Sequence, residues 1–307
     1  MRVAVVDIGT NSTRLLVADV AEDGEVTELD RRSTVTRLGQ GVDASGVLAP
    51  EAMERVFTTL GTYRAAMDDL GVEGTTAVLT SAVRDAANGA QFTARVREDF
   101  RLEAATLSGD EEAGLSFLGA TSARPAGAPA PIVVIDIGGG STEFVVGARG
   151  TVSFHVSTQA GVVRHGERHV RTDPPAADAL DALAADAREI YARAVPEGTR
   201  GEVVAGVAVA GTATQLAAIA QELEPYDPTR VHGFRLDLAT VDALRARLAA
   251  VPEAERRQVP GLDPARAPTI VPGTVLMGEA MRLFGLDAVE VSEHDILRGA
   301  ALRRAGR

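Results

Sequence analysis

A chain of 307 residues with 45% hydrophobic and 24% charged side chains has a globular composition, long enough for two domains. The formal net charge of −12 argues against a general nucleic-acid or membrane-surface binder, while still allowing an anionic ligand held at a local basic site. The chain has no cysteine and no lysine. Disulfides, thiolate nucleophiles, Cys-metal sites, a Schiff base and a P-loop lysine are therefore excluded, and a clamp on phosphate must use arginine, backbone N–H or metal.

Residues 2–8 read as a strand, 13–20 as its hairpin partner and 26–35 as a third strand. No charged leader or apolar h-region precedes the first strand, so no secretory signal is expected. No apolar run approaches the roughly 18 residues of a membrane span, and the default location is cytoplasmic. Pro50 followed by Met53, Val56, Phe57, Leu60, Tyr63 and Met67 gives helical periodicity. A short strand at 75–79 runs into the polar loop Thr80–Gly89, then a helix near 90–99 and a strand at 102–107. Ser108 or Asp110 caps the next helix, and the acids Glu111 and Glu112 in its first turn suit the helix dipole. Thr121–Pro131 carries three prolines and no apolar period, as a linker should, which makes residues 1–125 one lobe and 126–307 the other, with the last helix allowed to pack back on the first lobe.

The second lobe opens with strands around 132–146, and a third strand follows at 151–156. Thr172-Asp173 is expected to cap a long helix that starts near Pro174-Pro175 and runs to Ala194. The buried strand 203–210 leads through Gly211-Thr212 into another helix; further helices are expected near 239–250, 274–285 and 296–304, with a last strand at 288–291. Strands followed by interleaved helices, in both lobes, make the chain α/β twice over.

The most informative stretch is Asp136-Ile137-Gly138-Gly139-Gly140-Ser141-Thr142-Glu143, between two apolar runs. Glycines let backbone approach a ligand closely, and consecutive N–H groups form an anion-binding concavity. A carboxylate beside a phosphate cradle is repulsive unless a cation lies between them or the acid handles water. A second copy occurs at Asp7-Ile8-Gly9-Thr10-Asn11-Ser12-Thr13-Arg14, with Arg14 where Glu143 stands. The repeat suggests two related lobes across a cleft, and Asp7 and Asp136 as acids able to hold Mg2+. Arg84, in a loop after a strand, is a clamp candidate for phosphate. His165 and His169 have i,i+4 spacing, but with no third ligand evident nearby they read as a solvated helix face. His294 follows the last strand and is a candidate for the cleft lining. No Gly-x-Ser-x-Gly elbow supports Ser/His/Asp chemistry.

Taken together, these residues resemble the exopolyphosphatase / guanosine pentaphosphate phosphohydrolase family, within the actin, sugar-kinase and heat-shock-chaperone superfold. The resemblance covers nearly the whole chain. It rests on DIGTNSTRLLV at Asp7–Val17, RLGQGV at Arg37–Val42, TSAVRDAAN at Thr80–Asn88, LSGDEEA at Leu107–Ala113, DIGGGSTEFVVG at Asp136–Gly147 and AGTATQLAA at Ala210–Ala218. It implies two ribonuclease H-like lobes with an inter-lobe cleft, and metal-dependent removal of a terminal phosphoryl group by water. By that resemblance Glu112 is the general base and Arg84 the clamp on the terminal phosphate. Asp136 and Glu143, with Asp7, hold Mg2+ or another divalent cation. Asn11, Ser12, Thr13, Gly139, Gly140, Ser141, Gly211 and Thr212 match the phosphate loops. Longer members carry an additional helical C-terminal region, and this chain resembles the short two-domain form. An acid that many members have near the start of a late helix is missing around Thr269–Gly273.

The implied reaction is hydrolysis of inorganic polyphosphate to orthophosphate and a shortened polymer, without nucleic-acid or membrane partners and with a homodimer allowed. The rival within the family is hydrolysis of guanosine pentaphosphate (pppGpp) at its 5′-phosphate. Rivals outside it are an ATP-dependent kinase of the same superfold and a polyphosphate- or nucleotide-binding sensor without turnover.

Overall fold

The computed structural model describes residues 1–125 and 127–306. Ala126, the first residue of the expected second lobe, and Arg307, the last, lie outside the described residues. In chain order come β1 (Arg2–Ile8), β2 (Ser12–Val20), β3 (Val26–Val35), α1 (Val42–Ser45), α2 (Pro50–Asp69), β4 (Gly74–Leu79), α3 (Ser81–Asp85), α4 (Gly89–Phe100), β5 (Ala104–Thr106) and α5 (Gly109–Thr121). Next are β6 (Ile132–Ile137), β7 (Thr142–Ala148), β8 (Thr151–Thr158), α6 (Val162–His169), α7 (Ala177–Ala194), α8 (Glu197–Glu202), β9 (Ala205–Val209) and α9 (Ala210–Ala220). The remainder is α10 (Pro228–Val231), β10 (Arg235–Asp237), α11 (Leu238–Ala249), α12 (Glu253–Arg256), α13 (Ile270–Leu283), β11 (Ala288–Val291) and α14 (Ile296–Arg304). The chain forms two compact units: Met1–Ser122 together with the segment from Asp295 onward, and Ala123–His294.

The first unit has a five-stranded sheet of order β3-β2-β1-β4-β5. β1 pairs antiparallel with β2 and parallel with β4, and β4 runs parallel to β5. Side chains alternate along a strand, so β1 feeds two cores. Ala4, Val6 and Ile8 join α2 and α4 on one face. Val3 and Val5 join α5 and α14 on the other. A sheet buried on both faces needs near-continuous apolar strands, which Val3-Ala4-Val5-Val6 supplies. The same alternation turns Asp7 toward the α14 side.

The α5–α14 contact is made by glycines. A Cβ on Gly119 would lie 1.8 Å from the Asp295 carbonyl oxygen, and one on Gly299 would lie 2.0 Å from that of Leu115. Both obstacles are backbone, so neither can swing aside. Gly119→Ala is expected to destabilise the protein by about 3 kcal/mol, the upper end for overpacking. Urea denaturation checks this, and an unchanged midpoint would mean the two helices part freely.

The second unit has a six-stranded sheet of order β10-β11-β9-β6-β7-β8. Leaving out the edge strand β10, its order and directions repeat those of the first sheet: an antiparallel β6-β7-β8 meander, then β9 and β11 parallel to β6. This is the ribonuclease H-like sheet, present twice. One core is built from Val133, Ile135, Ile137, Phe144 and Val146 against α6, α7, α9, α11 and α13. By alternation, Asp136 and Glu143 lie on the opposite face of that sheet.

One expected boundary moves. α7 starts at Ala177, not at Pro174-Pro175. A residue before proline is pushed toward extended backbone, and here both Asp173 and Pro174 precede one. Asp173 does not cap α7. Its carboxylate instead accepts from the Glu253 N–H at 2.8 and 3.0 Å and pairs with Arg256 at 2.8 Å, fastening the start of α12.

Candidate active site

The two repeated hairpins close identically. The Gly9 N–H donates to Ser12 O at 3.0 Å, and the Gly138 N–H to Ser141 O at 2.9 Å. Asp7 stands directly across from Arg14, as Asp136 does from Glu143. The chemistry at this shared position differs between the units.

In the first unit Arg14 donates to Asp7 Oδ2 at 2.6 and 2.9 Å through two nitrogens and pairs with Asp295 through a third. Asp295 also caps α14, its Oδ1 accepting from the Leu297 N–H at 3.0 Å. Arg14 is thus shared by two buried carboxylates of its own unit. Burial raises the Asp7 carboxyl above its ordinary range, with Arg14 opposing the shift. Asp7 Oδ1 and Asn11 Oδ1 are buried without hydrogen-bond partners among the described residues. Buried polar atoms are normally satisfied, so both mark places where a ligand, ion or water belongs.

Not every residue of that turn is available. The Thr13 hydroxyl bonds Thr36 Oγ1 at 3.0 Å, and its carbonyl accepts from Tyr63 at 2.9 Å, so Thr13 holds the sheet to α2. Asn88 likewise is structural, bonding both the N–H and the carbonyl of Leu48 at 2.8 and 3.0 Å.

Glu111 and Glu112 divide their duties. Glu111 completes a capping box: its Oε2 accepts from the Ser108 N–H at 2.9 Å, while Ser108 Oγ accepts from the Glu111 N–H at 3.2 Å. Glu112 has no part in that cap. It is 7% exposed, and its Oε2 accepts from Arg84 Nη1 at 2.9 Å. Arg84 also donates to the Leu107 carbonyl at 3.1 Å. A buried carboxylate and a guanidinium therefore stand side by side, one from the start of α5 and one from α3.

In the second unit Asp136 and Glu143 are only 9% and 2% exposed, and each has a carboxylate as its cross-strand neighbour. Like charges in that register are destabilising. Glu143 Oε1 accepts from Ser157 Oγ at 2.7 Å. Two hard oxygen donors so placed could hold a divalent cation, and at the same register position the first unit has Arg14 in place of the second acid. Among the hydroxyls, Ser141 is buried beside Gly140.

The glycine turn is seated on α6. The Val162 N–H donates to Gly138 O at 3.0 Å, those of Val163 and Arg164 to Gly139 O at 2.8 and 3.2 Å, and Arg164 Nε to Gly140 O at 2.9 Å. Gly161 permits this, since a Cβ there would lie 2.4 Å from Gly139 O. Behind the turn, Thr142 Oγ1 bonds the Tyr191 hydroxyl at 2.9 Å, and burial pushes that phenol upward.

The third loop begins α9. Ala210 there has φ +62°, a left-handed conformation unusual for a residue with a Cβ. Strain of this kind clusters at ligand sites. The Thr212 hydroxyl donates to Ile137 O at 2.8 Å, tying this loop to the glycine turn. The Arg266 guanidinium lies over Gly211, where a Cβ would come within 2.2 Å of it. Arg266 was not among the residues expected from sequence, although the absence of lysine makes any arginine beside such a loop worth testing.

One histidine expectation changes. His165 and His169 are not a solvated face: His165 is fully buried and His169 is partly so. Asp186 on α7 meets both, at 3.4 Å from His165 Nε2 and 2.9 Å from His169 Nε2. Burial lowers the His165 pKa to about 4, which leaves the ring neutral at physiological pH. His294 packs against His232, with ring centroids 4.3 Å apart and the rings tilted by 39°. Among the described residues, no helix is long and apolar enough to cross a membrane.

The profile of the Ppx/GppA phosphatase family matches residues 16–304. Exopolyphosphatase 2 of Mycobacterium tuberculosis is 38% identical, over 99% of each chain. A crystal structure of an exopolyphosphatase from Cytophaga hutchinsonii superposes with a TM-score of 0.89 at 26% identity, covering 100% of this chain and 98% of the other. The Aquifex aeolicus member of the Ppx/GppA family gives 0.81 at 28% identity, over 99% and 97%. The chain therefore belongs to the Ppx/GppA phosphatase family and is a phosphatase with the fold of that family's solved members.

Proposed function

We propose that this phosphatase is an exopolyphosphatase, hydrolysing the terminal phosphate of inorganic polyphosphate to release orthophosphate. The observation that carries the reading is the 2.9 Å contact between Glu112 and Arg84. It puts a carboxylate that the helix cap does not use beside a cation whose planar fork matches phosphate oxygens. Likeness to the M. tuberculosis relative named Exopolyphosphatase 2 supports the substrate.

Under this reading Arg84 grips the terminal phosphoryl group and Glu112 accepts a proton from the attacking water. In the first unit the backbone and hydroxyls of Asn11-Ser12, and in the second unit those of Gly139-Gly140-Ser141 with Gly211-Thr212, are the candidate binders of further phosphates. Thr13 supports its turn from behind. Asp136 and Glu143 would hold a divalent cation, assigned as Mg2+ from its oxygen donors, and Asp7 is a candidate oxygen donor within the first unit. When bound, that cation neutralises charge on the phosphate oxygens. The enzyme works in the cytoplasm on a soluble polyanion, with no nucleic-acid or membrane partner.

Orthophosphate release from long-chain polyphosphate and from pppGpp, each with Mg2+ and with a chelator, tests the proposal. Release from polyphosphate that stops on chelation is the expected result. Release from pppGpp with none from polyphosphate would replace the substrate. Tight polyphosphate binding without release of phosphate would make the protein a sensor.

A further inference from the structure

We propose that His165, His169 and Asp186 form a binding site for one Zn2+ ion per chain, which fastens α6 to α7 directly behind the glycine turn. Helical i,i+4 spacing brings both imidazoles to one face of α6, and packing against α7 delivers the carboxylate. One potential ligand atom from each residue lies within 4.8 Å of the other two. The Asp186 oxygen is 3.4 Å from His165 Nε2 and 2.9 Å from His169 Nε2. Ligands about 2.0–2.1 Å from a tetrahedral zinc are separated by about 3.3 Å, so a small adjustment encloses the ion.

A second, independent observation points to a ligand. His165 is completely buried, yet among the described residues neither of its ring nitrogens has a hydrogen-bond partner. Asp186 lies 3.4 Å away but does not complete a hydrogen bond with it. An imidazole removed from water with both nitrogens idle is rare in a native interior. A metal bond to Nε2 would satisfy one of them. The His169 and Asp186 side chains are 17% and 30% exposed, which gives an ion a way in and leaves room for water as a fourth ligand.

Asp186 also has Arg168 at 3.4 Å, a side chain 41% exposed and able to turn outward when the ion takes its place. Two imidazoles and one carboxylate favour zinc and its first-row neighbours over Mg2+, which prefers oxygen alone. The site is therefore chemically distinct from the Asp136–Glu143 pair. Its position has a consequence, because the first turn of α6 donates the N–H bonds that hold Gly138 and Gly139. An ion fixing the other end of α6 would hold that turn in shape.

The test uses the full chain, stripped of metal with a chelator and titrated with Zn2+ by calorimetry and by thermal melting. One saturable equivalent and a rise in Tm are expected. His169→Ala and Asp186→Asn, both at partly exposed positions, should each weaken Zn2+ binding more than about 100-fold and abolish the rise. Co2+ added to the unmodified chain should give the visible absorption of a tetrahedral nitrogen and oxygen site, a readout that needs no variant. Lack of saturable Zn2+ binding, or affinity and Tm rise unchanged in both variants, would overturn the proposal. None of these readouts depends on which phosphate substrate the enzyme uses.

Discussion

Glu112→Gln is expected to lower kcat by about 10²–10⁴-fold while leaving KM near its starting value, the range for removing a general base. The substitution keeps the shape of the side chain and a carbonyl oxygen that can accept from Arg84, so substrate should still bind. What it removes is the ability to take a proton from water. The neighbouring residue supplies the control. Glu111 is committed to the Ser108 capping box, a role glutamine also fills. Glu111→Gln should therefore retain nearly full activity, with a change in stability below about 1 kcal/mol. Steady-state kinetics of the two variants decide the matter. Near-normal turnover in Glu112→Gln would remove it as the base, and equal losses in both would mean that disturbing the start of α5 is enough.

The hairpins were the most legible part of the chain because their signals are local. An apolar run, a glycine turn and a second apolar run determine strand, turn and strand, and the register Asp7 to Arg14 and Asp136 to Glu143 follows from the length of the turn. The Ser108 cap was legible for the same reason. What could not be read depends on pairs far apart in sequence. Arg14 reaches Asp295, 281 positions away, so the sequence contrast with Glu143 did not reveal that this arginine is shared by two acids of its own unit. Asp186 comes to His165 and His169 from the following helix, and no spacing rule announces it. The glycine contact between α5 and α14 needs both Gly119 and Gly299, neither of which looks unusual alone. The strand β10, only Arg235–Asp237, is too short for a period of two to stand out.

Arg84→Ala should reduce kcat/KM by about 10³-fold or more, comparable to the loss of other arginines that stabilise a transferring phosphoryl group. Two losses combine in this variant. The phosphate loses its cationic grip, which raises KM, and Glu112 loses the donor that orients it, which lowers kcat. Arg84→Lys separates them: the charge stays, but the planar fork does not. The lysine variant should recover part of the affinity and little of kcat if aiming Glu112 is the larger contribution. Glu112 is buried, with its side chain 9% exposed, so Arg84→Ala should also cost stability, by about 3 kcal/mol. Kinetics taken at a temperature where the variant is still fully folded keep the two effects apart. Near-normal kcat/KM in the folded variant would identify Arg84 as a support for α5 only. A large loss of kcat/KM in the folded variant would identify it as the residue that grips the substrate.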